Sequence, residues 1–414
     1  MIDFPSLSQL GFGGYRIRKD SIDHRDALQH ALDCGCSVID TAPSYSNGES
    51  EELIGQVLSD NPACDAFVVT KAGYATQDAI QDAERAEVVE IGDRHVHCIH
   101  PEFLSRQLDG SRRRLRREVV DAYLLHNPEY YFKDETAPVK TLYRRLACAM
   151  EFLEGCVAEG RIRCYGISSG RFQTASQPNS IDLRQVLLLA EEISSSHHFK
   201  VIQFPFNFVE RQAALKPEQN AVSVIEFARE NGLFTFANRP LNAIAAKGIL
   251  RLATQEVILP AESEIQDQWE RCRRLLDKQM ASRGEANAPG SLEIIQLFDA
   301  WKELQNTESV DLVFHQYFYP LLRRLYEGSV PEDEAAIYTK FHSFLVASAK
   351  HRMNLAAMEM RDQLIAGGLV REDDKEPLAV IACRTYLEAG LDCVLVGMRN
   401  LRYVDELKPL FRRI

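Results

Sequence analysis

The segments AYLLH (Ala122–His126), VKTLYRRLACAMEFLEGCVAE (Val139–Glu159) and CYGIS (Cys164–Ser168) follow one another along the chain. The outer two are apolar at nearly every position, as strands covered on both faces must be. The middle one has the length and apolar spacing of a helix lying on a sheet. Strand, helix and strand in this order make a parallel unit, because a helical crossover returns the chain to the end of the sheet where it began.

The same rhythm extends in both directions. Further strand-like runs occupy Leu10–Gly13, Ser37–Asp40, Phe67–Lys71, Val201–Phe204, Phe234–Ala237 and Cys393–Val396. Between them lie helix candidates at Ser21–Cys34, which Ser21 can cap, and at Ser50–Leu58, Pro101–Arg117, Ala221–Asn231 and Pro377–Ala389. Eight strands with intervening helices predict an α/β fold, a closed (β/α)8 TIM barrel. A doubly wound sheet has fewer strands and needs a glycine-rich phosphate loop. Gly11-Phe12-Gly13-Gly14-Tyr15-Arg16 fails as that loop, because Arg16 stands where the third glycine belongs.

From Leu241 to Glu376 the rhythm stops, and helices without strands are expected at Glu264–Met280, Ser291–Gln305, Asp311–Tyr326 and Glu332–Leu364. The reading is one barrel domain over residues 1–414, with a helical insertion over 243–376 between strands 7 and 8. Topology assigns such an insertion to the C-terminal rim, where it would wall or cover the ligand mouth. A homodimer formed through these helices is the competing expectation.

Composition narrows the class. With 48 basic against 60 acidic side chains the net charge is -12, so no nucleic-acid partner is expected. No apolar run approaches the roughly 20 residues of a membrane span. Met1–Leu10 has neither the basic flank nor the apolar block of a targeting segment, which points to a cytoplasmic protein. The ten cysteines are scattered and form no C-x-x-C pair, so buried, reduced thiols are expected. His95, His97 and His100 read as a loop or short hairpin entering the next helix, and no metal is expected. Arg112–Arg117 reads as the solvated, dipole-matched end of a helix.

Against this apolar background, polar residues end the strands. Asp40 closes the second, Lys71 the third, His126 the fourth and Ser168 the fifth, while Gln203 lies in the sixth. Carboxylate, ammonium and imidazole at one barrel mouth are costly unless they pair with one another. Tyr45, just past Asp40, can turn back over the same mouth. A phenol titrates near pH 10, and the Lys71 ammonium is expected to lower that value while Asp40 holds the lysine. His126 would bond the same oxygen and orient the substrate.

Seven segments in register make the chain resemble the aldo-keto reductase superfamily. They are LGFGGY (Leu10–Tyr15), IDTAPSY (Ile39–Tyr45), VTK (Val69–Lys71), YLLH (Tyr123–His126), GISS (Gly166–Ser169), IQF (Ile202–Phe204) and VLVGMR (Val394–Arg399). The resemblance covers roughly residues 7–242 and 378–407 and leaves the insertion unmatched. It implies a catalytic tetrad of Asp40, Tyr45, Lys71 and His126, and hydride exchange between NADP(H), or NAD(H), and a small carbonyl or alcohol substrate. It further implies cofactor contacts at Gly13, Gly14, Asp40, Ser168, Ser169, Gln203, Asn238, Arg239, Leu241, Gly397, Arg399, Tyr403 and Glu406. Ser169 stands where the family commonly has Asn, and Asn238 where many members have an aromatic ring over the nicotinamide. Arg399 suits a 2′-phosphate, although its flanks match loosely. These departures and the large insertion motivate an alternative: a non-catalytic dinucleotide-binding sensor or partner-docking module on the same barrel.

Overall fold

The computed structural model describes residues 4–412 apart from 93, 135, 174–178, 217–221, 246–247 and 285–288. Eight parallel strands close a barrel in it: β1 (Leu10–Gly13), β2 (Val38–Asp40), β3 (Phe67–Ala72), β4 (Val120–His126), β5 (Ile162–Ser168), β6 (Phe199–Pro205), β7 (Phe234–Asn238) and β8 (Cys393–Val396). Each strand pairs with its sequence neighbours, and β8 closes the ring on β1, with Gly11 opposite Leu395. All eight expected strands are present. The outer helices include α1 (Ile22–Asp33), α2 (Glu49–Asp60), α3 (Pro101–Leu115), α4 (Val139–Ala158), α5 (Leu183–Ile193) and α6 (Val224–Glu230). Ser21 caps α1 through the His24 N–H, and Ser223 with Glu226 forms a reciprocal capping box on α6. Ala221, expected to open α6, lies outside the described residues.

Side chains of a strand alternate between its two faces, so every second residue of a barrel strand points inward. Val38, Phe67, Val69, Ala122, Leu124, Cys164, Val201, Phe234, Phe236, Cys393 and Leu395 form one buried apolar cluster, joined by Leu7. Phe4 packs on it from outside β1, with its ring 5.0 Å from that of Phe234. Gly166 keeps this interior tight, since a Cβ there would lie 1.9 Å from the Val201 carbonyl oxygen, beside the register shift between Phe199 and Val201. The described cysteines are all free thiols, most of them buried.

The chain divides into two compact units, Met1–Ala243 with Ala379–Ile414, and Ile244–Leu378. The second unit contains α7 (Glu262–Ser282), α8 (Pro289–Asp299), α9 (Thr307–Val313), α10 (Tyr319–Leu325) and α11 (Glu332–Ala366). Its own core gathers Trp269, Phe298, Phe314, Phe318 and Phe341, with Trp269 stacked on Phe341 at 5.1 Å. In the aromatic run Tyr317–Tyr319, Phe318 is buried and Tyr317 is exposed. Two expectations for this stretch need correction. It is not free of strands, because Asn242–Ala245 and Gly248–Arg251 form a two-stranded sheet; each run is too short for a periodic signal. The helix expected over Asp311–Tyr326 contains a π-turn at Phe314–Phe318 between α9 and α10. Pro320 accounts for it: proline has no N–H to donate, and its ring clashes with the carbonyl four residues back, so the turn widens.

Back in the barrel unit, α12 (Leu378–Glu388) precedes β8 and α13 (Leu401–Leu407) follows it. His95–His97 is the central strand of a small antiparallel sheet with Tyr74–Thr76 and Val89–Glu90, and His100 caps α3, so the hairpin reading holds. The arginine run departs from its expected solvated role. Arg114 donates to the fully buried Glu51, and Arg117 to Asp121, so part of the run anchors α2 and β4.

Candidate active site

Two residues beyond the apolar cluster, on the same inward faces, stand Asp40, Lys71, His126, Gln203 and Asn238, and Ser168 stands two beyond Gly166 on the inward face of β5. One alternation therefore builds a greasy lower layer and a polar upper one, at the carboxyl ends of the strands.

Lys71 is fully buried, and its ammonium has three hydrogens to place. They go to Asp40 Oδ1 at 2.6 Å, to the Thr41 carbonyl at 2.8 Å and to the Tyr45 hydroxyl at 3.3 Å. The phenol oxygen thus accepts from the lysine, which leaves its own proton free to point elsewhere. The Tyr45 and His126 rings meet edge-on at 6.3 Å, so the four tetrad residues converge. Burial pulls the Lys71 pKa down against the opposing pull of Asp40. Burial and the Lys71 charge together hold His126 far below the usual imidazole range, so the ring is neutral. The expected lowering of Tyr45 is overturned. Desolvation, reinforced by the Asp40 carboxylate, pushes the phenol well above its ordinary value, because Asp40 offsets the positive charge that Lys71 would otherwise present.

Asp40 Oδ1 also accepts from Gln203 Nε2 at 2.7 Å. Gln203 Oε1 in turn accepts from the Ser168 hydroxyl at 2.9 Å and from Asn238 Nδ2 at 3.2 Å. These two donors fix which way the Gln203 amide faces. Among the described residues, Asn238 Oδ1 is buried without a hydrogen-bonding partner. An acceptor orphaned there fits the carboxamide of a nicotinamide ring, which carries two N–H donors.

The other expected contacts divide. Gly14 is demanded by the barrel itself, since a Cβ there would sit 2.7 Å from Ser50 Oγ and 2.8 Å from the Asp40 carbonyl. Gly13 likewise faces the Val396 backbone at 3.2 Å. Past β7, Arg239 adopts a positive φ of 53° and pairs with Glu210 at 2.5 Å, while Leu241 is half-buried in the turn. Past β8, Gly397 is exposed, and nothing lies within 4 Å of the Cβ it lacks, so this end is open to a ligand. Arg399 is half-buried near His24 and depresses that imidazole, second to burial. The Tyr403 N–H is taken by the Asn400 cap, and burial raises the Glu406 carboxyl.

Sequence reading missed several neighbours. Tyr74 meets the His126 ring edge-on at 4.7 Å and bonds Asn127 through its hydroxyl. Glu51 is fully buried and accepts from the Thr70 hydroxyl at 2.6 Å, directly behind Lys71. A charged residue on the buried face of α2, beside Ser50 and Ile54, was the available signal for it. Glu129 is buried beside the loop after β5. A polar-lined cavity of about 270 Å³ lies farther along that loop, between Gly170–Phe172 and Phe204–Pro205, away from the tetrad. Among the described residues no cluster of histidine, cysteine and carboxylate side chains could hold a metal ion. No helix among them is long and apolar enough to cross a membrane.

A model of the Aldo/keto reductase family matches residues 9–319. Among curated proteins, the NADH-specific methylglyoxal reductase of Escherichia coli (strain K12) is 24% identical over 245 residues, 57% of this chain and 64% of that protein. The NADP(+) aldo-keto reductase yakc of Schizosaccharomyces pombe is 30% identical over 142 residues, 34% of this chain and 35% of that protein. The chain thus spans less than two thirds of the length of the curated relatives it matches. Among solved structures, the glycerol dehydrogenase AKR11B4 of Gluconobacter oxydans covers 99% of this chain and 90% of its own at 19% identity, with a TM-score of 0.53, and shares the fold.

Proposed function

Because the chain belongs to the aldo/keto reductase family, we propose that it is a nicotinamide-dependent oxidoreductase that interconverts a small aldehyde or ketone and the corresponding alcohol. The observation that carries this reading is the full use of the Lys71 ammonium on Asp40, Thr41 and Tyr45. That arrangement presents a protonated phenol, outward and beside a neutral imidazole, to whatever oxygen enters the mouth.

A bound reduced nicotinamide would supply two electrons and a hydrogen to the carbonyl carbon. Tyr45 gives its proton to the carbonyl oxygen as charge develops there, and Lys71 stabilises the phenolate left behind. Asp40 keeps the lysine charged and aimed. His126 donates a hydrogen bond to the same oxygen and fixes the face that the carbon presents. Ser168, Ser169, Gln203 and Asn238 would hold the carboxamide, Gly397, Arg399, Tyr403 and Glu406 the adenosine end, and Arg239 and Leu241 would add contacts after β7. NADP(H) is the preferred cofactor, because the Arg399 guanidinium suits a 2′-phosphate. NAD(H) is the rival, since one relative is named NADH-specific and another NADP(+)-dependent.

Replacing Tyr45 by Phe removes the proton and little else, so turnover should fall about 10²–10⁴-fold while dinucleotide affinity stays near wild type. Absorbance of the reduced cofactor over a panel of aldehydes, ketones and alcohols measures the first, and calorimetry the second. Unchanged turnover in that variant would end the acid role. Wild-type binding of a dinucleotide without turnover of any carbonyl or alcohol would favour the sensor alternative instead.

A further inference from the structure

Asp40, Lys71 and Tyr45 are tied to one another by hydrogen bonds, but His126 is held differently. Its backbone carbonyl accepts the His97 Nε2–H at 2.7 Å, and among the described residues none hydrogen-bonds its ring nitrogens. What meets the ring is aromatic. Tyr74 stands perpendicular to it, at 4.7 Å and 84°, and Tyr45 does so farther off, at 6.3 Å and 81°. The χ2 torsion of a histidine has broad minima, so a ring without a polar tether takes its plane from its packing. Perpendicular contact at a separation of about 4.5–7 Å is a geometry that aromatic pairs prefer.

Tyr74 is itself clamped. It opens the small sheet after β3, directly opposite His97, and its ring is perpendicular to those of His97 at 5.9 Å and Tyr130 at 5.6 Å. Its hydroxyl accepts from Asn127 Nδ2. Asn127 follows His126 directly, in a left-handed step of φ 53°, and its N–H donates to the Ser168 carbonyl at 2.7 Å. Gly73 lets the tyrosine come this close: a Cβ there would lie 2.5 Å from the His126 carbonyl oxygen and 2.7 Å from His97 Nε2. The tyrosine is therefore fixed to the segment whose histidine it touches.

We infer that Tyr74 is a positioning residue for the proposed reduction: its ring sets the plane of the His126 imidazole and so aims the imidazole N–H at the substrate oxygen. The inference rests on the reductase reading above and deepens it, naming what orients the one tetrad side chain that no hydrogen bond orients. A donor that swings loses the transition-state hydrogen bond it should make, and a misplacement on the order of 1 Å costs up to about 10²-fold in rate.

The test is a double-mutant cycle on the carbonyl that the wild-type protein reduces fastest in the panel above. Single turnovers at high enzyme concentration keep slow variants measurable. Tyr74→Leu should lower the rate at saturating substrate about tenfold, with KM and the dinucleotide dissociation constant near wild type. Tyr74→Phe keeps the ring and should recover most of that rate. In a His126→Ala background the imidazole is gone, so Tyr74→Leu should cost less than about twofold. Tyr74→Met fills the space without a ring plane and should match Tyr74→Leu, which covers a poorly folding leucine variant. Three results overturn the inference and leave the reductase reading standing: wild-type rates in the leucine or methionine protein, a phenylalanine protein as slow as the leucine one, or an equal loss with and without His126. The last would make Tyr74 a wall of the substrate pocket instead. If the wild-type protein reduces no carbonyl, the parent reading fails and this one falls with it.

Discussion

At the scale of single residues, the decisive fact is that Asp40 Oδ1 serves two masters, Lys71 and Gln203. The proton-donating side of the mouth and the proposed carboxamide side therefore meet at one oxygen. Tyr45 stays protonated throughout the neutral range, because desolvation and the Asp40 charge hold its pKa well above the ordinary phenol value. The sign of the pH dependence follows. Carbonyl reduction needs the phenol and should run flat from about pH 6 to 9. Alcohol oxidation needs the phenolate and should climb about tenfold per pH unit over the same range, because only a small, rising fraction is ionised so far below the pKa. Initial rates in both directions at saturating cofactor measure this. An apparent pKa near 7 or 8 in either profile would contradict the assignment.

At the scale of elements, the small sheet after β3 stakes part of the protein's stability on a neutral imidazole. His97 is 1% exposed, and its Nε2–H donates to the His126 carbonyl at 2.7 Å, while its Nδ1 is buried without a partner among the described residues. Burial brings its pKa down to about 4 from 6.5. The unfolded chain therefore binds a proton that the folded chain refuses between those values. Stability from this group is complete above about pH 6.5 and drains away as pH falls toward 4. Linkage gives a loss of about 2 kcal/mol between pH 7 and 5. Urea unfolding at the two pH values should show a loss smaller by about that amount in His97→Gln than in the wild type, the rest coming from other buried imidazoles such as His126; equal losses would refute it.

The barrel and its polar rim were legible because their signals are periodic or contiguous. Mostly apolar runs of four or five residues, each ending in Asp40, Lys71, His126 or Ser168, state both the strand and the end that faces ligand. Glu129 was not legible, because it matters through a partner far along the chain, Gly170; the place of Glu51 on the buried face of α2 was a signal, but its partners Thr70 and Arg114 were not. Nothing in the local pattern around Glu129 distinguishes it from a surface carboxylate in a loop. The misjudged Tyr45 has a related cause. The sequence brings lysine and tyrosine together, but only the folded distances show that Asp40 neutralises much of what the lysine offers.

At the scale of the whole molecule, Ile244–Leu378 has the attributes of a folding unit in its own right. Its core, centred on Trp269, Phe298 and Phe341, is drawn from its own helices, and the Trp269 indole N–H donates to Asp299 at 2.7 Å. Trp269→Ala should remove about 3–5 kcal/mol from this unit. Hydrogen exchange read by mass spectrometry should then show protection lost across residues 262–366 and retained in β1–β8. Parallel loss in both units would mean that the chain unfolds as one.

The late arrival of β8 has a consequence during biosynthesis. The ribosome finishes β7 long before it reaches Cys393, and at roughly 5–20 residues per second the closing strand emerges about eight to thirty seconds later. Throughout that pause the nascent sheet keeps two raw edges, β1 and β7, at the places where β8 will seal it. Unpaired edges recruit other strands, so depleting chaperones during translation should lower the yield of this protein more than a comparable loss of stability in the closed ring would.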